Sequence, residues 1–363
     1  MVTSEIYYNP FVKTVLKEDI LTEYLFGIFK IRQKKIDTEF PVDLVYLWVD
    51  GSDEVWLKKK QKYENKTFDN NEEQACCVGR YADNDELKYS LRSVEKFAPW
   101  INRIFIVTDG QVPKWLDTSN QKIKLVFHQD FIPQENLPLF SSTAIETYLA
   151  QIPELSEHFI YANDDMFIAE PLDKFFFYDC EKKPIVRLKH QVSKRQAKKS
   201  LYNRTILNSQ KLIKERYGKN FPYAPHHNID AYLKSDFLEC ESVFKNEFET
   251  TGKNKFRTEG ELQRSIVLYY ALAKNRARKK LYSRVDRYFS MSKRFFDNIF
   301  SKYSADSIVI NANDKNPEVK IQKYKPKLFC INDGEGVTDK DRQRIKIFLE
   351  ELYPEKSSFE LKD

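Results

Sequence analysis

The chain has 363 residues, 41 % hydrophobic and 14 % aromatic, with only 9 glycines, which excludes a disordered, collagen-like or low-complexity protein. The length suffices for one large domain or two ordinary ones with a real core. The net charge of +6 is uneven: thirteen Lys or Arg and one acid, Glu215, lie between Lys182 and Lys219, and a second basic run covers Lys274, Arg276, Arg278, Lys279, Lys280, Arg284 and Arg287.

Residues 1–40 contain "FVKTVLKEDILTEYLFGIFKIRQKK", whose apolar spacing predicts a helical adapter that caps the core or lies on a membrane surface. From residue 41 the pattern changes. "VDLVYLWVDG" reads as a buried strand stopped by Asp-Gly. "DELKYSLRSVEKFAPW" places Leu87, Leu91, Val94 and Ala98 on one helical face before Pro99. "RIFIVTDG" and "IKLVFHQ" read as two further strands, Ile145, Leu149 and Ile152 as an amphipathic helix, and "HFIYANDD" as a fourth strand. Residues 181–225 are basic and without clear periodicity, which predicts a long excursion or flap. Helical spacing returns over 259–282, "KLFCINDG" reads as a late strand, and a closing helix is expected over 339–353.

Strands alternating with helices predict an α/β fold with a mostly parallel sheet, in which ligands bind beyond the carboxyl ends of the strands. The expected organisation is the adapter (1–40), an α/β half (41–180), the basic excursion (181–225) and a second half (226–363) with a closing helix. Three strands end in acids: Asp50, Asp109, and Asp164 with Asp165. Adjacent strand residues face opposite sides, so Asp164 and Asp165 share a direction only if the strand ends at Asn163. Such a pair suits Mg²⁺ or Mn²⁺; it is equally a turn that closes the strand. The basic runs read as solvated faces or as surfaces for an anionic partner such as a phosphorylated glycan or a membrane. Nucleic acid is not expected, because no helix-turn-helix, zinc-finger or RNP-type motif accompanies the charge. Five cysteines, with Cys76 and Cys77 adjacent, do not form a disulfide framework, and no apolar run approaches membrane-spanning length. The expected setting is therefore cytoplasmic, with peripheral attachment to the inner face of the plasma membrane as the alternative.

Several longer segments carry a resemblance. "VYLWVDGSDEVW", "RYADNDELKYSLRSVEKFAPWINRIFIVTDGQVPKWL" and "LPLFSSTAIETYLAQIPELSEHFIYANDDMFI" resemble the first two signature regions of the Stealth family of hexose-1-phosphate transferases. "FPYAPHHNIDAYL" with "KFRTEGELQRSIVLYYAL" resembles the third region, and "LFCINDG" the fourth. The family includes bacterial capsule-polysaccharide phosphotransferases and the catalytic subunit of the eukaryotic enzyme that begins the mannose-6-phosphate tag. Thr143 stands where Asn is frequent in the family, and Leu47 where Thr is frequent.

The resemblance implies a glycosyltransferase A-like sheet and transfer of sugar-1-phosphate from a UDP-sugar to a hydroxyl of a glycan or lipid-linked glycan, with release of UMP. It implies metal ligands at Asp164 and Asp165, with Asp333 as a partner across the cleft. Arg257 becomes the phosphate clamp, since a guanidinium matches phosphate oxygens bidentately. His226 is the expected general base, with His227 its rival. Donor contacts are expected from Asp50, Gly51, Asp53, Arg80, Asp83, Asn84 and Asn163, with Asp83 or Asp85 also a candidate cap for the helix that follows. Two alternatives stand beside this reading: a conventional metal-dependent glycosyltransferase that releases UDP, and a non-catalytic glycan-binding component of capsule assembly.

Overall fold

The computed structural model describes residues 4–9, 12–17, 20–25, 28–35, 37–67, 81–197, 200–281, 306–334 and 336–362. The expected N-terminal helix is instead a four-stranded antiparallel meander: β1 (Ser4–Asn9), β2 (Val12–Lys17), β3 (Ile20–Leu25) and β4 (Phe29–Lys35). Val, Ile, Thr, Tyr and Phe are frequent in these segments and favour a pleated surface. In the register of β2 and β3, Val12 is opposite Leu25 and Leu16 opposite Leu21.

Further strands among the described residues are β5 (Val42–Leu47), β6 (Ile104–Thr108), β7 (Ile123–Phe127), β8 (His158–Asn163), β9 (Met166–Ile168), β10 (Ile185–Gln191), β11 (Tyr223–Pro225), β12 (Asp230–Leu233), β13 (Arg278–Leu281), β14 (Ser307–Asn311) and β15 (Leu328–Asn332). The central sheet has the order β12-β8-β5-β6-β7; β8, β5, β6 and β7 run parallel, and β12 is an antiparallel edge. Both faces of this sheet are covered, which is why its strands are nearly continuous apolar runs. Val45, Phe105, Val107, Phe159 and Tyr161 belong to one core layer with the buried helix Ser265–Ala273. Leu44, Tyr46, Ile104, Ile106 and Ile160 belong to the other, with Leu87, Leu91 and Val94 of the helix Glu86–Phe97. Strand alternation alone sorts these side chains onto the two faces.

Two smaller sheets brace the first. In the order β14-β15-β9, β15 runs antiparallel to β9. In the order β11-β10-β13, β10 runs parallel to β13. Sheet pairing therefore crosses the expected division between the two halves, through β12 on β8 and β15 on β9.

The basic stretch is more regular than its sequence suggests. After β10 it forms the helix Leu201–Tyr217, capped by the Ser200 side chain at one end and by Gly218 at φ 67° at the other. Its inward face carries Thr205, Ser209 and Gln210 beside Ile206 and Ile213, so polarity hid the helical period. The expected helix around Ile145–Ile152 divides into a short helix, Ser142–Glu146, and a 3₁₀ turn, Leu149–Gln151. The closing helix, Asp339–Leu352, lies where expected, with a Thr338–Asp341 capping box.

Candidate active site

Register brings the acidic strand ends level. Leu47 of β5 is opposite Asn163 of β8 and Val107 of β6. Beyond them opens a cleft of about 440 Å³, lined by Trp48, Asp50, Asp53, Asp83, Asp109 and Trp115 among others. Gln111 brackets Asp50: its amide oxygen accepts from the Asp50 N–H at 3.1 Å, and its amide nitrogen donates to the Asp50 carbonyl at 2.9 Å. The Asp50 carboxylate accepts from the Ser52 N–H and hydroxyl. Gly51 is required by the chain itself: its N–H donates to the Tyr81 carbonyl at 2.8 Å, and an added Cβ would lie 2.1 Å from that oxygen. Asp53 caps the helix Glu54–Thr67 through the Trp56 N–H. Asp83 accepts from the Asp85 N–H, while Asn84 donates to Glu86. Asp85 occupies the cap position of the helix Glu86–Phe97 at φ 65°, with no side-chain cap bond. Arg80 lies outside the described residues.

β8 ends at Asn163, so both following acids enter the turn before β9. The turn is pinned by Ile331 N–H donating to the Asp165 carbonyl at 2.9 Å. Asp164 Oδ1 accepts from the Asp165 N–H at 3.1 Å, and Asp165 Oδ2 accepts from the Cys330 thiol at 3.3 Å. Asp165 Oδ1 is buried with no hydrogen-bond partner. Burial, then Asp165, Glu86 and Asp83, push the Asp164 carboxyl well above its ordinary range. Burial likewise pushes Asp165 up to about 7, with Glu86 adding to it and the Cys330 bond and Arg264 opposing it. Asp83 is pushed up to about 7 by burial, Glu86, Asp85 and Asp50. Glu86 is raised by burial, with Asp333 adding to it.

Acids from four segments thus share one field, and a divalent cation would relieve it. The orphaned Asp165 oxygen and the hard oxygen donors fit Mg²⁺ or Mn²⁺. Among the described residues, no three His, Cys, Asp or Glu side chains gather closely enough to hold a metal. Asp333 is paired with Arg342, its carboxylate accepting from Nε at 2.8 Å.

A second, narrow cavity of about 40 Å³ adjoins the turn. Thr143, Glu146, Asn163, Tyr202, His227, Arg257, Glu261 and Arg264 line it. Arg257 donates to the Ser142 hydroxyl, and Asn163 Oδ1 accepts from the Tyr161 hydroxyl at 2.9 Å.

His226, the expected base, does not line this cavity. It is fully buried, with Nδ1 3.0 Å from the Ser307 hydroxyl and Nε2 3.1 Å from both the Ile229 carbonyl and Asp230 Oδ1. The cause is local. The His226 N–H continues the β10–β11 pairing by donating to the Arg187 carbonyl, and the chain then bends at His227 and Asn228. His227 meets Tyr202 edge-on, its Nδ1 is buried without a partner, and burial followed by Arg264 pushes it down to about 4.

Sequence reasoning missed Arg264, although it lies in the quoted "ELQRS". Its guanidinium is 3.1 Å from Glu146 and 3.5 Å from Asp230. A buried network joining three distant segments leaves no local period to read. Arg92, by contrast, is structural, held by Glu360, Glu350 and the Tyr353 carbonyl. Much of the basic charge is neutralised internally: Arg187 and Lys280 meet Asp306, Arg278 meets Asp179, and Arg276 meets Asp236. Arg284 and Arg287 lie outside the described residues, as do Cys76 and Cys77, while Cys180, Cys240 and Cys330 are thiols.

Three family models match: Stealth protein CR1, conserved region 1, over residues 40–67; CR2, conserved region 2, over 80–186; and CR4, conserved region 4, over 319–363. Capsular polysaccharide phosphotransferase fcs1 of Haemophilus influenzae is 33 % identical, covering 88 % of this chain and 85 % of its own. The chain belongs to the Stealth family. It is an enzyme of the sugar-phosphate transferase class. Another relative, capsular polysaccharide phosphotransferase WcwK of Streptococcus pneumoniae, is 30 % identical over 88 % of this chain and 98 % of its own. Among solved structures, the galactosyltransferase LgtC in complex with donor and acceptor sugar analogues matches at a TM-score of 0.41 and 10 % identity, covering 87 % of this chain and 96 % of its own. No helix among the described residues is long and apolar enough to cross a membrane.

Proposed function

We propose that this Stealth protein transfers a sugar-1-phosphate from a UDP-sugar to a hydroxyl of a glycan or lipid-linked glycan in capsular polysaccharide synthesis. The names and near-complete overlap of its relatives support the phosphotransfer and its place in capsule synthesis. The observation that carries the finer reading is one shared cavity: His227, Arg257 and Asn163 line it together, and the acidic turn follows Asn163 directly.

In this reading the acceptor oxygen attacks the phosphorus next to the sugar. A new O–P bond forms, the bond to the bridging pyrophosphate oxygen breaks, and UMP leaves with the electron pair. His227, neutral in its buried setting, takes the acceptor proton. Arg257 holds phosphoryl oxygens while charge redistributes. The wider cleft beside Asp50 and Asp83 receives the nucleoside end of the donor. Asp164 and Asp165 would hold the Mg²⁺ or Mn²⁺ that neutralises the pyrophosphate. The reaction runs in the cytoplasm, where nucleotide sugars are supplied, and a lipid-linked acceptor brings the enzyme to the membrane surface.

The test is a panel of UDP-sugars carrying ³²P at the β-position, incubated with Mg²⁺ and a capsular glycan acceptor. Label passing into the glycan, with UMP as the nucleotide product, supports the reading. Label leaving as UDP refutes it.

A further inference from the structure

The cavity holds a second guanidinium besides Arg257. Arg264 stands at the N-terminus of the helix Ser265–Ala273, its side chain only 4 % exposed. Glu146 Oε1 lies 3.1 Å from one terminal nitrogen and Asp230 Oδ2 3.5 Å from the other. The guanidinium also sits 4.9 Å over the Tyr161 ring. Each of these partners is held from behind. Glu146 Oε1 also lies 3.1 Å from the Tyr161 hydroxyl, and Asp230 Oδ1 faces His226. The result is a cation fixed from the short helix Ser142–Glu146, from β8 and from β12.

The third nitrogen is different. Arg264 Nε is buried and has no hydrogen-bond partner, and in the same cavity His227 Nδ1 is also buried and unpartnered. An unsatisfied buried donor such as the Arg264 Nε–H typically costs about 1–3 kcal/mol, which an oxyanion beside it would relieve. The space itself, about 40 Å³, exceeds the roughly 10–15 Å³ that one water needs. A space of that size suits a phosphoryl group.

We propose that Arg264 is a phosphoryl-binding residue of this enzyme: Glu146 and Asp230 anchor its terminal nitrogens, and its Nε–H donates to an oxygen of the phosphate that is transferred. Arg257 covers that phosphate from the Ser142 side of the cavity. The division of labour explains why one guanidinium is locked by two carboxylates before substrate arrives. A preorganised donor costs no reorientation when charge develops. The inference rests on the phosphotransfer reading above, but its own test does not require turnover.

The probe is inorganic pyrophosphate with excess Mg²⁺, and the readout is the pyrophosphate-dependent rise in melting temperature of the full chain. The wild type is expected to be stabilised. Arg264→Lys keeps a cation between the two carboxylates but has no Nε–H, and it is expected to fold and to bind pyrophosphate at least tenfold more weakly. Should Arg264→Lys not fold, the paired change Glu146→Gln with Arg264→Gln removes both charges and serves as the same test. Pyrophosphate binding within twofold of wild type in the folded variant would overturn the proposal, as would a wild type that pyrophosphate does not stabilise. Failure of the wild type to form a sugar phosphodiester while Arg264→Lys still loses pyrophosphate binding would instead count against the reaction assigned above.

Discussion

His226 Nε2 lies 3.1 Å from Asp230 Oδ1, and this pairing separates two adjacent histidines into different roles. His226 holds the network that carries Arg264, whereas His227 faces the cavity. His227→Ala is expected to lower kcat by about 10²–10⁴-fold, the usual contribution of a general base, with little loss of stability. His226→Ala leaves the buried Asp230 short of a partner and is expected to cost about 1–3 kcal/mol. Urea unfolding beside steady-state kinetics distinguishes the two. A stable, inactive His226→Ala with a fully active His227→Ala would reverse the assignment.

The pH profile checks the same assignment. A base must be unprotonated to work, and His227 is pushed down to about 4. Its activity contribution is therefore retained as pH falls past the ordinary histidine range and is lost near 4. The acid limb of kcat/KM is expected below pH 6; a limb at 6.5 that vanishes in His227→Asn would contradict the account.

The acidic field makes a thermodynamic prediction for metal-free protein. Asp83 and Asp165 are both raised to about 7, so the folded state binds protons that the unfolded state has released. Their stabilising contribution is complete below about pH 4 and is lost as pH rises through 7. In EDTA, Asp165→Asn is expected to melt like wild type near pH 4 and measurably higher above pH 7. Mg²⁺ closes that gap by stabilising only the wild type. Equal melting at every pH, with or without Mg²⁺, would remove the metal role of the turn.

Gly51 and Arg92 test the scaffold. Gly51→Ala forces a Cβ against the Tyr81 carbonyl, so the loop bearing Asp50 must move, and both stability and donor affinity are expected to fall. Arg92 donates to both oxygens of Glu360, at 2.8 and 2.9 Å, and to the Tyr353 carbonyl. Breaking that buried pair with Arg92→Ala is expected to cost about 3–5 kcal/mol in denaturant unfolding while sparing the turnover of the folded fraction.

These residues also show how far the sequence can be read. β5, β6, β7, β8 and β15 announce themselves as short apolar runs, and the helices Glu86–Phe97 and Asp339–Leu352 by their period. The acids at the strand ends follow from parallel order alone. The N-terminal strands escaped because Leu, Ile and Val recur there at spacings that suit a helix as well, and cross-strand pairing decided the matter. The helix Leu201–Tyr217 escaped because Thr205, Ser209 and Gln210 face inward. That His227 and not His226 lines the cavity follows from packing between distant elements, and the Arg264 network joins three segments more than 30 residues apart. Long-range geometry of this kind leaves no periodic trace.

The most direct measurement of the central claim is the phosphorus NMR spectrum of glycan product made with Mg²⁺ and the preferred UDP-sugar. Sugar and phosphate moving together predicts a phosphodiester resonance in the glycan, matched mole for mole by UMP. A glycan that gains the sugar, contains no phosphorus and leaves UDP behind would contradict it.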